Sequence, residues 1–78
     1  MTVHRYRDVL IEVTILSDAE RGGWLVEFWD LSPSGSGELL HIQKLPTGEL
    51  LLDLLGEKLN VDLVAWAIGI ARTELQGY

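Results

Sequence analysis

The sequence predicts an α+β fold: an antiparallel sheet of three to four strands, in an order the sequence leaves open, with one C-terminal helix packed on one face. Three observations carry that expectation. Val9, Ile11, Val13 and Ile15 alternate with Asp8, Leu10, Glu12 and Thr14, a period of two rich in β-branched residues, as in a half-buried strand. Two further strand-like segments follow, separated by glycine-containing connections. The last third then changes character to an uncharged run, Leu63–Ala71 (LVAWAIGIA), inside what reads as the closing helix. A helix apolar on all sides needs a burial partner beyond a single sheet.

Taken in order, Ser17–Gly23 (SDAERGG) is a polar turn in which Gly22 and Gly23 can take positive φ. Ser17 and Glu20 have capping-box spacing, but no apolar run follows within the loop, so a turn is expected there. Trp24–Leu31 is the second strand, with Trp24, Val26 and Phe28 on one side and Leu25, Glu27 and Trp29 on the other. Ser32–Gly37 (SPSGSG) has the composition of a mobile connection able to shape itself around a ligand. Glu38–Leu45 reads as a third strand, and Pro46-Thr47-Gly48 as a tight hairpin loop.

Glu49–Leu55 admits two readings. As a strand, Leu50, Leu52 and Leu54 face inward; as a helix, Glu49, Asp53 and Glu57 stack as a polar stripe, and leucine favours it. Gly37-Glu38-Leu39-Leu40 and Gly48-Glu49-Leu50-Leu51 repeat the same letters, and the first copy opens a strand, which favours the strand reading. Two copies are too few for a solenoid. After a connection from Gly56, Asn60 is the expected N-cap, with Asp62 complementing the helix dipole. The helix is expected to run to about Leu75, with Gly77 as its stop. Val64, Ile68, Ala71 and Leu75 form one stripe, with Leu63, Trp66 and Ile70 beside it. Gly69 costs ~1 kcal/mol relative to alanine inside a helix, so close packing is its expected use.

At 78 residues without cysteine, the chain has no disulfide or thiolate metal site. His4 and His41 stand far apart in sequence, so neither a metal nor a cofactor is expected. Small cores of this size supply only ~3–5 kcal/mol and commonly lean on oligomerisation. A homodimer is therefore expected. Twelve acidic against six basic residues give a net charge of -6, with the basic residues scattered. That excludes nucleic-acid and anionic-membrane surfaces as expected partners and leaves a protein partner, with a basic one the direction the charge permits. The first strand interrupts its apolar run with Glu12, unlike a signal peptide, and no window has the length of a membrane span. A cytoplasmic protein is expected.

With the helix on one face, Val9, Ile11, Val13, Ile15, Trp24, Val26, Phe28, Leu40, Ile42, Leu50, Leu52 and Leu54 should point toward it. The far face would carry Leu10, Leu25, Trp29, Leu39, Leu51 and Leu55 among Glu12, Glu27, His41 and Asp53. An aromatic among leucines with a few acids has the make-up of a contact surface. The candidate protein-binding residues are thus Leu25, Glu27, Trp29, Leu51, Asp53, Leu55 and Trp66. Catalysis finds little support: there is no nucleophile elbow or phosphate loop, and the one acid–base candidate is His41 near Glu27 or Asp53.

The stretch Gly22–Leu31 (GGWLVEFWDL) resembles the glycine turn, aromatic strand and Asp-Leu exit common in HicB-type antitoxins. Trp29 stands where those proteins usually carry proline, and SPSGSG with a strand-like segment follows where they turn into a helix, so no function is carried across. The leading expectation is a non-catalytic protein-binding module, a small acidic inhibitor, antitoxin or immunity-like accessory protein. A small subunit or assembly factor of a larger complex is the alternative, and a minimal enzyme built on His41 is the third.

Overall fold

In the computed structural model, five antiparallel strands and one helix follow each other along the chain: β1 (Thr2–Tyr6), β2 (Val9–Ser17), β3 (Trp24–Asp30), β4 (Glu38–Lys44), β5 (Leu50–Leu54) and α1 (Val61–Glu74). The described residues are all of 1–78 except Arg21, Ser34, Ser36, Gly56 and Glu57. Parts of the Ser17–Gly23 turn, the SPSGSG segment and the connection before α1 thus lie outside them. The sheet is a meander in the order β1-β2-β3-β4-β5, each strand paired with its sequence neighbour.

Local chemistry accounts for most of the elements. Arg7 and Asp8 make the turn between β1 and β2, Arg7 at φ 54°. Asp18 and Gly23 close the next turn, the Asp18 N–H donating to the Gly23 carbonyl at 3.1 Å. The Pro46-Thr47-Gly48 loop closes with Leu45 N–H to Glu49 carbonyl at 2.9 Å, and Gly48 takes the positive φ of 91° that such a loop needs. Asn60 caps α1, its Oδ1 accepting the Asp62 N–H at 2.7 Å, and Gly77 turns the chain away at φ 88°. Glu49–Leu55 resolves as a strand over Leu50–Leu54.

One additional strand, β1, was absent from the expected set. Its residues, TVHRY, lack an apolar alternation; it pairs with β2 over Thr2–Tyr6, and the rings of Tyr6 and His4 lie 5.2 and 6.1 Å from that of Trp66.

The core lies between the sheet and α1. Ile11, Val13, Val26, Phe28, Leu40 and Ile42 from β2–β4 are fully buried, and Ala67 and Ala71 of α1, with Leu75 at its C-cap, close over them. Lys44 joins the two layers: its ammonium donates to the carbonyls of Leu75 at 3.3 Å and Tyr78 at 3.0 Å, tying the segment that follows α1 to the sheet.

Two expectations about burial need correction. Alternation puts Leu39 on the far face, but a register shift between Phe28 and Trp29 pairs Trp29 with Glu38, and Leu39 is 6% exposed within the core. A β-bulge inserts one extra residue and so inverts the facing of what lies beyond it. Leu52 and Leu54 do lie on the helix side of the sheet, yet they are 43% and 52% exposed. A helix is about 10–12 Å across with its side chains, whereas five strands spaced ~4.8 Å span roughly 19 Å. One helix cannot cover that width, and a cleft of about 130 Å³ remains between Ile68 and Arg72 of α1 and Leu50 and Leu52 of β5.

On its own outward face α1 shows Val61, Ala65 and Gly69 to solvent. A β-carbon added at Gly69 would meet nothing within 4 Å, so the close packing expected there does not occur within the protomer.

Candidate functional site

The sheet face opposite α1 collects most of the candidate residues. Pairing aligns Thr14, Glu27, His41 and Asp53 in one row across β2–β5. On one side of this row Glu12, Trp29 and Glu38 align; on the other, Leu16, Leu25, Gln43 and Leu51. Leu25, Glu27, Trp29, Leu51 and Asp53 are therefore on one surface, although they come from only two of the five strands. Leu55 follows β5 directly, half-exposed, its N–H bonded to the Leu39 carbonyl at 3.0 Å. Trp66 lies on the other side of the sheet, half-buried between Tyr6, His4 and Phe28.

His41 organises the acidic row. Its Nε2 is 2.9 Å from Asp53 Oδ2 and its Nδ1 3.3 Å from Glu38 Oε2. A neutral ring donates to one carboxylate and the imidazolium to both. The bulge is what brings Glu38 to His41; strict alternation from Leu40 would have turned it toward α1. Beside them the Trp29 indole N–H donates to Glu27 Oε1 at 3.3 Å, which fixes the ring while leaving 36% of the residue exposed. Four carboxylates, from Glu12, Glu27, Glu38 and Asp53, thus stand around one imidazole and one indole on this face.

Gln43 is the residue that reading the sequence missed. It is 5% exposed although it sits between Leu25 and Leu51 on this outer face, and its Nε2 donates to Asp18 Oδ2 at 2.7 Å. The Asp18 carboxylate also accepts the Glu20 N–H at 3.1 Å, so the turn before β3 is tied to the sheet by one side chain. A single glutamine at an outward position carries no sequence signal for such a role.

Clefts of about 130 to 420 Å³ among the described residues are lined by other side chains than His41. Among the described residues no group of three or more His, Asp or Glu side chains is arranged so that it could hold a metal ion. Among them, too, no helix is long and apolar enough to cross a membrane. No protein-family model, curated protein or solved structure matches the chain.

Proposed function

We propose that the protein is a non-catalytic binding module, of the inhibitor, antitoxin or immunity type, that docks a protein partner on the sheet face opposite α1. The observation that carries this reading is Trp29: a large aromatic, anchored by Glu27 and exposed, in the midst of an acidic surface. Tryptophan is enriched among residues that dominate binding energy, and a face with four carboxylates favours a basic partner through electrostatic steering. Leu16, Leu25 and Leu51 form the apolar margin of the same surface, with Leu16 and Leu51 41% and 43% exposed.

The test compares wild type, Trp29→Ala and His41→Ala as baits in the native host, followed by titration of the partner recovered. Trp29→Ala should weaken binding at least about tenfold, the scale of a truncated anchor. Partner binding unaffected by Trp29→Ala, with any turnover abolished by His41→Ala, would favour the enzyme alternative instead. A second reading, a subunit of a larger assembly, is favoured by the leucines that β5 leaves uncovered. It predicts that the isolated chain lacks a cooperative thermal transition.

A further inference from the structure

The rim of the sheet at β5 has features of its own. Leu45 donates its N–H to the Glu49 carbonyl and Leu55 to the Leu39 carbonyl, so the odd-numbered residues of β5 bond inward to β4. Antiparallel ladders alternate. The N–H and C=O groups of Leu50, Leu52 and Leu54 therefore face away from β4, in a row on the side where β5 has no neighbouring strand among the described residues. Sheet edges in soluble proteins are usually blunted by lysine, proline, a bulge or a covering segment. β5, with the sequence LLLDL, has neither lysine nor proline and pairs with β4 without a register shift. The opposite rim differs: β1 carries His4 and Arg5, with Arg7 in the adjoining turn.

We infer that β5 pairs antiparallel with β5 of a second copy of this chain, about a two-fold axis at Leu52, joining two five-stranded sheets into one. A strand must supply the missing backbone partners, and two identical edges paired antiparallel close under that axis, whereas β5 on β1 would propagate into an open chain. With Leu52 opposite its own copy, Leu50 meets Leu54 on the helix side and Asp53 meets Leu51 on the other. Net charge opposes self-association over much of this acidic surface, but β5 brings one carboxylate, and His41 of the same protomer holds it at 2.9 Å. Leu51, Leu52, Leu54 and Leu55 are each 43% to 52% exposed and add apolar contact on both sides of the paired backbones. The interface shares Leu51, Asp53 and Leu55 with the margin of the docking face but leaves Trp29, two strands away on β3, open in both copies.

Sedimentation equilibrium on the full chain tests the pairing. Wild type and Trp29→Ala should both dimerise. Leu52→Lys and Leu52→Glu each place like charges opposite one another and should raise the dissociation constant at least about tenfold; mixing the two should restore a dimer. The chain has no cysteine, so Leu52→Cys gives a mild second variant that should form a disulfide-linked dimer on oxidation, while Val3→Cys on the other rim should not. A wild type that stays monomeric at high micromolar concentration overturns the inference. So do folded charge variants that dimerise like wild type, charge variants that mixing does not reunite, or failure of Leu52→Cys to cross-link. Loss of partner binding in Trp29→Ala with the dimer intact separates this interface from the docking face.

Discussion

Gly23 lies so close to β4 that a β-carbon on it would overlap the carbonyl oxygen of Lys44. The residue also has φ 85°, in the left-handed region, so both the space and the backbone demand glycine. The contact holds the end of the β2–β3 turn against the strand whose lysine closes the C-terminal end of α1.

Gly23→Ala should therefore destabilise the fold by at least about 3 kcal/mol, combining backbone strain with a steric overlap that no side-chain rotation relieves. Gly48→Ala is the matched control: its φ is 91°, but nothing stands within 4 Å, and about 1–2 kcal/mol of strain is expected. Urea unfolding of the two variants measures the difference, and equal losses would show that the Lys44 contact contributes nothing.

Gly69→Ala should act in the opposite direction. The added methyl enters open space on an exposed helical position, so only the propensity gain remains, about 0.5–1 kcal/mol of added stability. Thermal unfolding at low protein concentration reads this directly. A loss of stability would mean that another backbone packs against that face.

Lys44→Met removes the ammonium from the carbonyls of Leu75 and Tyr78 while keeping an unbranched stem of similar reach. About 1 kcal/mol of destabilisation is expected. Hydrogen exchange should localise the effect, with the amides of the last turn of α1 losing protection before those of β2 and β3. Uniform loss across the sheet would contradict this local role.

The two tryptophans on opposite sides of the sheet should separate cleanly. Trp66→Ala empties the space between Tyr6, His4 and Phe28 and should cost about 2–4 kcal/mol, toward the lower part of the range for a large core truncation because the ring is half-buried. Trp29→Ala should cost less than about 1 kcal/mol, since its loss removes one exposed hydrogen bond and no core contact. Comparable losses at both sites would make Trp29 a structural residue and remove the main support for a docking face.

Several of these relationships could be read in the amino-acid order. Alternation through Val9–Ile15 and Trp24–Phe28 sorted side chains to the right faces of β2 and β3, because a strand repeats every two residues whatever surrounds it. Asn60, Pro46-Thr47-Gly48 and Gly77 marked their caps and turns for equally local reasons. The candidate face was legible to the same extent: Leu25, Glu27 and Trp29 are alternate residues of one strand, and Leu51 and Asp53 of another. Trp66, grouped with them by composition, is separated from them by the sheet.

What the linear pattern left open depends on distant neighbours. β1 is a strand through its pairing with β2, and its rings are covered by Trp66, sixty residues away in α1; no alternation within TVHRY announces it. The shift between Phe28 and Trp29 was equally silent, yet it carries Leu39 into the core and Glu38 to His41. The breadth of sheet that one helix can shelter is a property of the assembled layers, since side-chain periodicity records which way a residue faces and contains nothing about how far the covering element reaches. For that reason β5 could be recognised as a strand from its leucines, while its open rim emerged only once the helix was in place.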